Sequence, residues 1–427
     1  MIRRLAVSLF AAASVLATPV LAKSSLDPIA EQYVKLSLRI GEHEEGYIDA
    51  FYGPAEWQAA AKGDKTPLPK LQAEVAALEA ALAAAGKQTD PMEARRAEFL
   101  RGQLKAAETR LRMMQGEKLS FEDEAEGLFG VRPKLKPLAS YDPVLADIEK
   151  LVPGDGPLWQ RVDSFNERFV IPADKLRPVF DAAIAECRKR TVAHIKLPAN
   201  ERFTLEFVTG KSWSGYNWYK GDAHSLIQVN TDLPVRLSRA VDLGCHEGYP
   251  GHHVYNLLLE EHLSKGKGWV EFTVYPLYSP QSLLAEGSAN YGIDLAFPGE
   301  ERLTFETSVL YPLAGLDAQD AGRFLGLLEA QKKLAGSRFT IAAEYLSGRI
   351  DREAAIALTQ KYGLVSRKRA EQTVSFSEQY RSYVINYGLG QDMVREHVER
   401  AGPSQAARWK RMEHLLSEPT VPADLAQ

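Results

Sequence analysis

The stretch Gly244-Cys245-His246-Glu247-Gly248-Tyr249-Pro250-Gly251-His252-His253-Val254-Tyr255 constrains this chain more than any other. Before it, Leu237, Ala240, Val241, Gly244 and Cys245 recur at the spacing of one helix face, and Val254, Leu257 and Leu258 resume that pattern afterwards. Pro250-Gly251 interrupts it. Proline removes a backbone donor, clashes with the preceding turn and drives Tyr249 out of helical geometry, while glycine permits an irregular backbone. The fold must therefore accommodate a broken helix that carries three of the nine histidines, with a glutamate, inside eight positions.

In an unbroken helix His246 and His253 would lie about 20° apart on one face but about 10.5 Å apart along the axis. Two imidazoles that share one metal ion at about 2 Å each must converge more closely than that. The break supplies the convergence, and it can deliver either His252 or His253. His253 is the expected ligand, because it shares a face with His246 if the break only compresses the helix. Glu247 is then the expected general base, beside a ligand and able to take a proton from water.

A catalytic zinc takes three protein ligands and keeps an open position. Glu286, in Leu283-Leu284-Ala285-Glu286-Gly287-Ser288-Ala289-Asn290-Tyr291, is the expected third, since an unpaired carboxylate is costly among apolar neighbours. Asn290 and Asp242 compete to orient a ligand imidazole through its other nitrogen. The competing bland reading is a kinked helix with a hydrogen-bonded histidine pair and a capping glutamate.

Composition excludes some classes. The formal charge of −4 and the scatter of basic residues give no nucleic-acid surface. Apolar residues at 45% and charged residues at 25% supply the core of a globular protein. Residues 1–22 read as a secretory signal peptide: a basic Met1-Ile2-Arg3-Arg4, apolar Leu5 to Leu16, and small residues before Lys23. No Cys follows the cleavage point, so no lipid anchor is expected, and no later apolar run is long enough to span a membrane. The mature protein is expected to be periplasmic or secreted. Cys187 and Cys245 can pair in such a compartment, but Cys245 lies on an apolar helix face, and a buried thiol is the preferred reading.

Along the chain, residues 23–198 read as an N-terminal helical part, with an aromatic turn at Tyr47–Pro54 and a helix hairpin at about Pro69–Ala85 and Pro91–Gln115. Residues 199–427 read as the catalytic helical part, and the two together as one composite body. Phe203–Val208 and Ser225–Asn230 alternate as strands, with an aromatic turn-rich connection between them. The expected fold is mainly α: a large helical body with a deep central groove and a small β element beside the histidine helix.

The segment His-Glu-Gly-Tyr-Pro-Gly-His-His resembles the H-E-x-x-P-G-H-H signature of a domain-of-unknown-function family of predicted metallopeptidases. Glu286–Tyr291 is similar to that family's E-G-W-A-L-Y. The resemblance covers about residues 200–400, and the family is similar to the gluzincin group of thermostable carboxypeptidases and angiotensin-converting enzyme. It implies one zinc ion and a peptide substrate lying in extended form along Ser225–Asn230 as an edge strand, with His224, Gln228 and Asn230 close to it. It further implies that Arg381 holds a substrate carboxylate and that Tyr383 or Tyr387 donates to the oxyanion. Two departures bear on substrate choice: Ser288 replaces the family's Trp, and its P-G-Q-A stretch is absent. The implied activity is cleavage of short peptides, carboxypeptidase-like. A zinc hydrolase of non-peptide amides or esters and a non-catalytic exported binding protein are the alternatives.

Overall fold

Helices run through most of the chain because apolar residues recur at helical spacing along it, and their ends are set by local chemistry. The computed structural model describes residues 24–211 and 213–426, and the proposed signal peptide lies outside them. The first helix, Asp27–Gly41, buries Ile29, Tyr33, Leu36 and Ile40 on one stripe. The hairpin follows as Leu68–Ala84 and Pro91–Met114, the second helix capped by Asp90, whose carboxylate accepts from the Met92 and Glu93 amides. Among the described residues no helix is long and apolar enough to cross a membrane.

The β content is small and mostly adjacent to the histidine segment. Strands β2 (Arg202–Val208), β3 (Gly215–Tyr219) and β4 (His224–Asn230) form one sheet in the order β2-β4-β3. β4 runs parallel to β2 and antiparallel to β3, so it is the central strand. The expectation that Ser225–Asn230 is an edge strand is therefore corrected: β4 is paired on both sides. The edge beside the histidine helix is β3, which sequence reading took for a turn-rich connection because Ser214-Gly215 precedes its aromatic alternation.

A second, two-stranded sheet joins distant parts of the chain. β1 (Ile48–Phe51), inside the aromatic turn, pairs antiparallel with β5 (Val274–Pro276). Nearby, Arg96 of the hairpin forms a fully buried pair with Glu271, Nε to Oε1 2.5 Å. These contacts fasten the first hundred residues to the segment that leads into helix Pro280–Ala296.

That helix packs against Ile385–Glu399 at a close approach of backbones. A methyl group on Gly287 would lie 2.5 Å from the Gly390 carbonyl carbon, and one on Gly390 would lie 2.7 Å from the Leu283 oxygen. The glycine after Glu286 is thus required by packing. The crossing brings the segment around Tyr383–Tyr387 against Glu286.

Candidate metal centre

The helix Ser238–Leu243 widens into a π-turn over Gly244–Gly248, Tyr249 is extended, and a new helix runs from His252 to Leu259. The Tyr249–Pro250 peptide is cis. Gly251 presses on the preceding turn so tightly that a Cβ there would fall 1.8 Å from the His246 carbonyl oxygen. The break therefore inserts extended backbone and restarts the helix at His252. This turns His252 rather than His253 towards His246, and the expectation for His253 is corrected on that ground.

Three donor atoms converge. His246 Nε2 and His252 Nε2 are 3.1 Å apart, and Glu286 Oε2 lies 3.3 Å from the first and 3.7 Å from the second. A tetrahedral ion with bonds of about 2.0–2.1 Å requires ligand atoms about 3.3 Å apart, so this triangle has the size of a zinc site. Glu286 Oε2 is buried without a well-aligned donor although both imidazoles are near, and the three ligand atoms all lie within 4.8 Å of one another. The side chains keep slight exposure, 12% and 13% for the histidines and 8% for the glutamate, enough for solvent to reach the cluster. The residues present fit a zinc ion.

The surroundings favour positive charge. Burial works against the His252 cation, but Glu286, Glu247 and Asp49 outweigh it and raise its pKa to about 9. Burial opposes ionisation of Glu286 as well, and the two imidazoles hold its carboxyl well below the usual range. Glu247 is buried, and desolvation raises its pKa against the pull of His246 and His252. A base with a raised pKa is better matched to proton transfer near neutrality. Asn217 of β3 donates to the Glu247 backbone oxygen at 2.6 Å, which ties the edge strand to the turn carrying Glu247.

Tyr383 donates to Glu286 Oε1 at 2.8 Å. Its proton is committed to orienting this carboxylate, while the half-buried Tyr387 side chain has Glu286 and Glu247 as electrostatic neighbours.

The remaining expected site residues lie elsewhere. His253 is fully buried, with Nδ1 2.8 Å from Ser225 Oγ and Nε2 3.0 Å from Glu201 Oε1. Asn290 donates to the Glu286 and Tyr387 backbone oxygens, and Asp242 pairs with Arg302 at 2.9 Å; neither touches a cluster imidazole. Arg381 donates from Nε to Glu124 Oε2 at 2.7 Å, which pairs its charge. His224 faces Thr204, Gln228 bonds Trp218 and Glu206, and Asn230 closes a turn on Lys211 and Trp213. All three serve the small sheet.

Two features escaped sequence reading. Asp49 of β1 accepts from the Tyr216 hydroxyl of β3. Burial pushes its pKa up to about 6, with Glu286 and Glu247 adding to the rise and Tyr216 and His252 opposing it. Nothing in the local pattern around Asp49 marks it, because only the β1–β5 pairing carries it to the cluster. Cys187 and Cys245 form a disulfide, Cα to Cα 5.4 Å, correcting the preference for a buried thiol. The apolar face bearing Cys245 packs on helix Leu176–Val192, which places the two sulfurs together.

A cavity of about 480 Å³, lined by Tyr291, Asp294, Arg395, Glu399 and Arg408 among others, opens near the other end of helix Pro280–Ala296 and shares no residue with the cluster.

No protein-family model matches the sequence, and no curated protein matches it. Solved structures do. The crystal structure of "the putative lipoprotein from Colwellia psychrerythraea" is 13% identical with a TM-score of 0.53, covering 95% of this chain and 76% of that one. The two chains share a mainly α-helical fold. An M32 carboxypeptidase from Deinococcus radiodurans R1 is 14% identical with a TM-score of 0.42, covering 94% of each chain. A "putative lipoprotein of unknown function from Shewanella oneidensis" is 14% identical with a TM-score of 0.44, covering 92% of this chain and 83% of that one.

Proposed function

We propose that this chain is an exported zinc-dependent peptidase acting on short peptides. One observation carries the reading: His246, His252 and Glu286 present three donor atoms at tetrahedral-ligand spacing, with the buried carboxylate Glu247 beside them. The disulfide and the signal-like start of the chain support export, since such bridges persist in oxidising compartments.

His246, His252 and Glu286 would hold the ion, which supplies Lewis-acid polarisation of a carbonyl and lowers the pKa of water. Glu247 accepts a proton from the attacking water as its oxygen bonds to the scissile carbonyl carbon. When the carbon–nitrogen bond breaks, Glu247 returns that proton to the leaving amine. Tyr387 donates to the developing oxyanion, and Tyr383 keeps Glu286 in place. The edge strand β3 offers backbone groups to an extended peptide, and Tyr216 and Trp218 stand on it with ring centroids 4.5 Å apart.

The test is metal analysis of the purified protein together with a peptide library, with and without chelator. One equivalent of zinc and chelator-sensitive cleavage are expected, with a Glu247→Gln variant that keeps zinc and loses activity. Protein without stoichiometric zinc, or a fully active Glu247→Gln variant, overturns the reading. Cleavage of esters or non-peptide amides alone would overturn its substrate half.

A further inference from the structure

The backbone at Arg381 takes φ +51° and ψ −124°, outside the left-handed helical well and in a region that glycine enters far more readily than arginine. Arg381 stands where helix Arg367–Tyr380 gives way to the short turn Arg381–Val384, which leads into helix Ile385–Glu399. A residue held in such a conformation persists only where its surroundings over-determine it.

Here the surroundings are one carboxylate. Glu124, on helix Phe121–Phe129, is 1% exposed and accepts from Arg381 Nε at 2.7 Å, from the Ser382 amide at 3.0 Å and from Ser382 Oγ at 2.7 Å. A buried carboxylate deprived of such donors is left with costly unsatisfied oxygens, so the clamp is strong in both directions. The next residue is Tyr383, whose hydroxyl donates to Glu286 Oε1 at 2.8 Å. Its ring meets that of Phe129, from the same helix as Glu124, edge to face with centroids 5.9 Å apart. One helix therefore grips both the strained turn and the tyrosine that follows it. The path from Glu124 to the metal cluster is unbroken: hydrogen bonds to Ser382, one peptide bond, and the Tyr383 side chain on Glu286.

We propose that Glu124 is a positioning residue of the metal centre: by holding the strained turn at Arg381 and Ser382, it sets the Tyr383 hydroxyl against Glu286 Oε1. This rests on the zinc reading above. It gives the N-terminal helical part a share in the site, because Glu124 steadies a ligand that it does not touch. It also gives the Arg381 side chain a use, as one of the donors that close the clamp.

The experiment is a double-variant cycle on the full mature chain, read by chelator competition for zinc. Glu124→Gln is expected to weaken zinc binding by about 10–100-fold, the effect of losing a ligand's orienting partner. Combined with Tyr383→Phe it is expected to weaken it no further than Tyr383→Phe alone, because both changes break the same contact. Glycine adopts the turn's backbone without a clamp, so Arg381→Gly in the Glu124→Gln background is expected to restore part of the affinity. Wild-type zinc affinity in Glu124→Gln, losses that multiply with those of Tyr383→Phe, or no recovery with Arg381→Gly overturns the proposal and leaves the zinc reading standing. If Glu124→Gln does not fold, Ser382→Ala takes its place in the cycle, with the same outcomes deciding. Wild-type protein that binds no zinc overturns both.

Discussion

His253 Nε2 lies 3.0 Å from Glu201 Oε1, and this buried contact holds the second histidine of the His-His pair away from the cluster that its neighbour His252 enters. Glu201 is also joined by Tyr249 and by Arg188 at 2.8 Å, and Ser225 takes the other imidazole nitrogen. Both sides of the helix break are thereby anchored to the sheet. In His252→Gln, stoichiometric zinc is expected to be lost from a folded protein. In His253→Gln, zinc is expected to remain while stability falls by about 1–3 kcal/mol, the scale for leaving buried hydrogen-bonding groups without their partner. Metal analysis and urea denaturation of the two variants check this.

The same contact has a pH signature. Burial opposes ionisation of Glu201, but His253, Tyr249 and Arg188 together lower its pKa from 4.5 to about 2. A carboxylate depressed in the folded state adds stability that is fully present above the unfolded value and is lost as pH falls through the folded one. Stability is therefore expected to decline between about pH 4.5 and 2, and the decline to be shallower in Glu201→Gln. Denaturation midpoints measured in chelator across that range would show it; identical slopes would refute it.

The disulfide closes a 58-residue separation. Chain-entropy reasoning gives such a loop about 4 kcal/mol. A Cys187→Ser, Cys245→Ser double variant is expected to lose stability of that order, and a strong reductant to reproduce the loss in wild type. Guanidinium denaturation with and without reductant measures it.

Tyr383 and Tyr387 are expected to separate in kinetics. Tyr383→Phe leaves Glu286 Oε1 without its donor and should weaken zinc binding by about 10–100-fold, as loss of a ligand's orienting partner does. Tyr387→Phe should leave zinc affinity intact and lower kcat by about 100-fold or more. Chelator competition and steady-state rates would distinguish the two; parallel effects would show that the roles are wrongly divided.

Gly251→Ala probes the break itself. Its methyl group would meet the His246 carbonyl at 1.8 Å, so the turn must move. A loss of about 3 kcal/mol or more is expected, together with reduced zinc content, because the displaced atoms belong to a residue of the cluster. Thermal unfolding and metal analysis together test it.

The helical character of the chain, the hairpin bounds to within a few residues, the break at Pro250-Gly251 and the candidacy of His246, Glu247 and Glu286 were legible in the residues alone. These follow from local rules: apolar spacing, the missing proline donor, and the cost of a carboxylate among apolar residues. Which histidine turns inward was not legible there, because it depends on how far extended backbone at the break rotates the next helix. Packing also settled that β4 is central and β3 the edge, that Asp49 reaches the cluster from more than 190 residues away in sequence, and that Arg381 pairs with Glu124. Strand order, long-range charge pairing and disulfide partnering are set by how distant segments pack, and helical periodicity carries no record of them.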